Sequence, residues 1–149
     1  MRVFVAEYVS GGGFARKAID SVPQALRDEG VAMLAALCDD LASVGQVVVP
    51  VDGRIDIKLP PTVELVQISK DAPLWPQWTA SAKTCDSALI VAPELQGTLA
   101  QAVAMLRAGG VEVNMSSGDF LRVASDKWET ARCFASQRVP HPLTFIKKT

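Results

Sequence analysis

The chain alternates short unbroken apolar runs with longer stretches in which apolar residues return every three or four positions. Val3 to Ala6, "QVVVPV" from Gln46 to Val51, and "SALIVA" from Ser87 to Ala92 are continuous runs, the pattern of strands covered on both faces. Val63 to Ile68 alternates in part and predicts a further strand, and Val111 to Val113 a short one. Between them, Leu26, Met33, Leu34, Leu37, Leu41 and Val44 recur at helical spacing and give one apolar face. Ser21 predicts the cap of that helix, with Gln24 closing a capping box, Pro23 tolerated in the first turn and Gly45 as the stop. "DGRIDIKLPPT" breaks the pattern with charges and prolines and reads as a surface loop. "DAPLWPQWTASAK" predicts a short helix starting near Pro73, and Leu95, Leu99, Val103 and Leu106 mark another, closed by Gly109 and Gly110. Ser125 predicts the cap of a last helix that has to end before Pro140, with Trp128, Ala131 and Ala135 facing the core.

Strands alternating with helices imply a mostly parallel sheet with helices on its faces, and right-handed crossovers make this a Rossmann-like, three-layer α/β domain. At 149 residues the chain fits a single domain, able to bury roughly 70% of the surface of its unfolded state. Only 21% of residues are charged and the formal net charge is −1, without the basic excess of a nucleic-acid binder. The longest apolar runs, such as Val31 to Cys38, fall far short of the ~20 residues that span a bilayer, so no membrane partner is expected. The N-terminus has no signal-peptide pattern. Cys38, Cys85 and Cys133 are far apart and odd in number, which fits reduced thiols in a cytoplasmic protein. With His141 the sole histidine, held between two prolines, neither a zinc site nor a Cys–His pair is supported. Trp75 and Trp78 suit core packing or an interface, and a homodimer stays open.

In an open parallel sheet, ligands bind beyond the carboxyl ends of the strands. Three polar constellations fall there: Glu7 to Phe14, Pro93-Glu94, and Asn114 to Ser117. Gly11, Gly12 and Gly13 do not make a dinucleotide fingerprint, because position 16 is Arg and the expected helix start is Ser21. No Gly-Lys-Ser/Thr follows, so a Walker loop fails too. The glycines either form a tight turn or let a substrate approach bare backbone. Glu94 reads as a solvated or capping acid, or as a carboxylate that recognises an amino group. Glu7, one residue past a buried strand, has to be paired or at the sheet's rim, where it could meet Glu94. Lys127 opposes the positive end of its helix, and a residue that contradicts local preference is a candidate for function.

The order "ALIVAPE", a helix, Asn114-x-Ser116, "SDKWET" and "VPHPLTF" resembles the ATP-grasp ligases. The resemblance implies a pre-ATP-grasp domain over residues 1–124. Residues 125–149 would be the linking helix and the start of an ATP-grasp domain whose remainder is expected beyond Thr149. "EY" before the glycines, "LRDEGVAML" and "APE" are most similar to the branch containing tyramine–glutamate ligase of methanofuran biosynthesis. It further implies an ATP-dependent carboxylate–amine ligase working through an acyl phosphate, with small-molecule amine and carboxylate substrates. Lys127 would contact the phosphates of ATP in the full-length protein. Glu7, Gly11, Gly12, Gly13 and Glu94 would help form the substrate wall. ATP and Mg2+ are expected in the full-length protein, neither in this chain alone, which is expected not to ligate. Two other readings stay open: a stand-alone Rossmann-like module binding a small ligand or partner, and a nucleotide- or nucleotide-sugar-binding enzyme using the Gly11–Gly13 amides.

Overall fold

A computed structural model describes residues 1–116 and 118–146, the Leu95 side chain apart. The elements in chain order are β1 (Arg2–Glu7), α1 (Gln24–Ala42), β2 (Gln46–Val51), β3 (Glu64–Gln67), α2 (Leu74–Ala82), β4 (Ser87–Val91), α3 (Thr98–Ala108), α4 (Gly118–Ala124) and α5 (Lys127–Ser136). The four strands form one parallel sheet in the order β3-β2-β1-β4, in register through pairs such as Phe4 with Val48 and Val5 with Leu89.

Successive side chains on a strand point to opposite faces, and here both faces are apolar. Val3, Val5, Val47 and Val49 pack beneath Leu34 and Cys38 of α1. Phe4, Ala6 and Val48 pack on the other side with Trp78 of α2 and Val103 and Leu106 of α3. Each buried Val, Leu or Phe side chain contributes about 1.5–3 kcal/mol by leaving water, which is why these runs need no polar alternation. The expected three-layer α/β architecture is the one observed. From β1 the sheet grows to β2 and β3, and the chain then crosses back to set β4 on β1's other side. That reversal opens a crevice past the ends of β1 and β4.

Local departures have local causes. Ser21 does not cap α1. Val22 is extended (ψ 118°), as a residue before proline must be, so the helix starts only after Pro23. Ser21 instead closes a short 3-10 turn, its hydroxyl donating to the Ala18 carbonyl at 2.6 Å. The apolar face of α1 is narrower than the pattern suggests: Gly30, Leu34 and Cys38 are buried while Leu26, Met33 and Val44 are exposed. Gly30 already stands against the Glu7 carboxylate at the end of β1, so Leu26, one turn earlier, lies past the sheet.

Val111 to Val113 reduces to a single bridge, Val113 beside Ala88, made by the Ala88 amide on the Glu112 carbonyl and the Asn114 amide on the Ala88 carbonyl, each at 2.8 Å. Asp126, not Ser125, caps α5, accepting from the amides of Trp128 (2.8 Å) and Glu129 (3.0 Å). Of the three residues expected to face the core from α5, only Ala131 is buried. Helix α4 has no counterpart in the sequence reading. Residues 139–146 carry no strand, and Leu143, Phe145 and Ile146 are exposed there. Ser117 and residues 147–149 lie outside the described residues. Cys38 is buried, which with Asp39 pushes its thiol up to about 11, whereas Cys133 is exposed. Among the described residues, no helix is long and apolar enough to cross a membrane.

Candidate functional site: the glycine turn and its cleft

Strand β1 continues one step past its end, the Tyr8 amide donating to the Val91 carbonyl of β4 at 2.9 Å. The chain then coils through Val9–Gly13 as one wide helical turn, closed by the Gly13 amide on the Tyr8 carbonyl at 2.7 Å. Gly12 sits at φ +94°, a left-handed conformation, and a Cβ there would stand 2.6 Å from the Ile68 side chain. A Cβ on Gly13 would run into the Tyr8 ring, and one on Gly11 would press on Trp78 at 3.0 Å. The three glycines are therefore a packing requirement: the turn lies flat on aromatic and aliphatic neighbours.

The polar groups around the turn hold it in place. Glu7 is 2% exposed and its carboxylate accepts from the Val9 amide (2.9 Å), the Ser10 amide (2.8 Å) and the Ser10 hydroxyl (2.8 Å). A buried carboxylate is tolerable only when so satisfied. Trp78 Nε1 donates to the Gly11 carbonyl at 2.8 Å. The Asp52 amide, past the end of β2, donates to the Ser10 carbonyl at 2.7 Å. Asp52 in turn is gripped by Arg54 through two bonds of 2.8 and 2.6 Å, a bidentate pair. Arg54 also donates to the carbonyls of Lys17 (2.6 Å) and Phe14 (2.9 Å), tying down the segment after the turn. The side-chain hydrogen bond from Arg54 holds the Asp52 carboxyl below its ordinary range, and the same contact raises Arg54.

Beside the turn opens a cleft of about 390 Å³, bordered by Tyr8, Gly12, Gly13, Phe14, Lys17 and Trp75 among others. Its size is that of a small-ligand pocket. Tyr8 meets Phe14 edge-on at 5.5 Å and tilts against Trp75 at 6.0 Å. Burial raises the Tyr8 phenol, which stays protonated at neutral pH.

Of the site residues expected from sequence, the fold gathers Glu7, Gly11, Gly12 and Gly13. Gly12 and Gly13 border the cleft, Gly11 lies against Trp78, and Glu7 is beneath, its carboxylate turned to the loop amides and away from any ligand. Glu94 is exposed on the turn after β4, and Lys127 is exposed at the first position of α5. Neither lines the cleft. Asp52, Arg54 and the cleft-lining Trp75 were not singled out as site residues. Asp52 and Arg54 carried a signal, since "VDGR" sets two charges directly after a buried strand. Among the described residues, no group of three or more His, Cys, Asp or Glu could hold a metal ion.

Residues 45–117, from the residue before β2 to the one before α4, match the model of the pre ATP-grasp 3 domain family. The crystal structure of a protein assigned to the ATP-grasp superfamily, from Archaeoglobus fulgidus, shares the fold at a TM-score of 0.67 and 21% identity. The likeness covers 91% of this chain and 40% of that one, so the chain spans about two fifths of that protein's length. No curated protein matches the sequence. The family match spans just under half of the chain, and the likeness to the solved structure is one of fold.

Proposed function

We propose that this chain is the substrate-side N-terminal domain of an ATP-dependent carboxylate–amine ligase. The observation that carries the reading is the pre-ATP-grasp match over residues 45–117, which takes in β2 to β4 and α3 and lies beyond β1 and the glycine turn in the sequence. In the reaction, a carboxylate oxygen of the donor acid attacks the γ-phosphorus of ATP and ADP leaves. The amine nitrogen then attacks the acyl carbon, phosphate departs, and the nitrogen gives up a proton to form the amide. Such chemistry is mainly positioning and charge neutralisation.

This chain supplies positioning. Gly12 and Gly13 offer bare backbone to a substrate at the cleft, and Glu7 acts as a positioning residue that fixes the turn from below. Glu94, exposed after β4, is free to meet an amino group. Lys127 is exposed at the start of α5 and suits a contact with the phosphates of a nucleotide held by an ATP-grasp unit in further sequence. On this reading the domain ends at 124, between α4 and α5, and the chain alone does not ligate. The finer assignment to glutamate plus an amine, as in methanofuran-type cofactor biosynthesis, rests on "EY" before the glycines and on "APE". Separated, unpaired cysteines favour a reducing, cytoplasmic setting.

Lys127→Ala in the longer protein tests the assignment. A lost charge-assisted contact is worth about 1.5–3 kcal/mol, so ATP affinity or turnover should fall by roughly 10- to 100-fold. Unchanged ATP affinity and turnover would remove Lys127 from the phosphate site.

A further inference from the structure

The cleft over the glycine turn has a two-sided lining whose chemistry narrows its ligand. One side is aromatic. Tyr8, Phe14 and Trp75 are each partly open there, while Trp78 behind them is fully buried against Trp75 at 5.3 Å. The rim is cationic. Arg16 and Lys17 are exposed at the rim, with Lys17 Nζ 5.1 Å above the Phe14 ring and Arg16 Nε donating to the Lys70 carbonyl at 3.1 Å. No Asp or Glu is among the residues lining the cleft, so these cations meet no carboxylate within it. The first turn of α2, at Leu74 and Trp75, borders the same space and carries no side-chain cap. Its dipole adds positive potential on the side of the rings.

We propose that this cleft binds a small ligand made of one flat ring and one anionic group, a carboxylate or a phosphate. The ring lies against Tyr8 and Trp75, where aromatic faces reward offset or edge contact. The anionic group meets Arg16 and Lys17 at the rim. That this ligand is a substrate rests on the coarser carboxylate–amine ligase reading above and departs from the glutamate-plus-amine assignment, while its chemical class rests on the cleft alone. The same ring carrying an ammonium would face two like charges and gain no counter-ion.

The test is calorimetric titration of the 149-residue chain with three probes of shared ring: 3-(4-hydroxyphenyl)propionate, phenyl phosphate and tyramine. At least one anion should bind tenfold or more tightly than tyramine, and the tighter of the two tells carboxylate from phosphate. Arg16→Ala and Lys17→Ala should each weaken that anion several-fold, and added salt should weaken it further. Trp75→Ala should weaken all ring probes. Both cations are exposed, so their variants keep the fold, which circular dichroism verifies. Tyramine binding as tightly as the anions, no anion binding at millimolar concentration, or affinity unmoved in the Arg16→Ala/Lys17→Ala double variant would each overturn the proposal. No nucleotide enters the titration, so a failure of ligation in the longer protein leaves this result standing, and the reverse holds as well.

Discussion

Glu7 shows how one side chain settles a stretch of backbone. Its three accepted hydrogen bonds, from Val9, Ser10 and the Ser10 hydroxyl, are all within three residues of chain. Glu7→Gln replaces an oxygen acceptor with an amide donor facing donors. It should destabilise the fold by about 1–3 kcal/mol, read as a lower urea midpoint; an unchanged midpoint would mean that the turn does not depend on the carboxylate. Gly12→Ala adds a Cβ against Ile68 at a positive φ. It should cost about 1–3 kcal/mol by the same measurement, whereas Ala at an exposed helical site would be neutral or better. Asp52 supplies a pH signature. Arg54 depresses its carboxyl in the folded state, so the stabilisation is present above the ordinary value of 3.8 and is lost as pH falls through the folded value. The stability gap between the wild type and Asp52→Asn should therefore be full at neutral pH and close in acid below that value. A gap constant down to acid unfolding would contradict the pairing.

At the scale of elements, what was legible follows from what determines each one. Strands β1, β2 and β4 were plain because burial on both faces leaves an unbroken apolar run, and helix α3 because Leu99, Val103 and Leu106 keep one face. The start of α1 was misplaced because Ser21 and Gln24 spell a capping box, yet Pro23 forbids a helical Val22. The α5 cap moved one residue because Ser125 and Asp126 both qualify, and only the fold chooses. The glycine run was legible as a special turn, but its anchors were not. Trp78 and Arg54 lie 67 and 40 residues along the chain from the carbonyls they hold, so no local pattern encodes the pairing. Trp78→Phe removes the N–H to Gly11 while keeping most of the ring. It should speed amide hydrogen exchange across residues 9–13 and leave β4 protected. Equal protection in both proteins would mean that the indole does not hold the turn.

On the scale of the molecule, the sheet order and the chain reversal between β1 and β4 set the sheet beneath a turn packed on aromatic and aliphatic side chains. The apolar side chains of Leu143, Phe145 and Ile146 lie exposed past α5, and Lys127 stands at that helix's start. On the proposed reading, both would face an ATP-grasp unit in further sequence. The most direct test of the proposed reading follows nucleotide and acyl group together in a longer protein that carries this chain and, on that reading, an ATP-grasp unit. Incubated with ATP, magnesium, hydroxylamine and a panel of carboxylic acids beginning with glutamate, it should release ADP and form one hydroxamate for each ADP. Release of AMP and pyrophosphate, or ADP without any hydroxamate, would contradict an acyl-phosphate ligase.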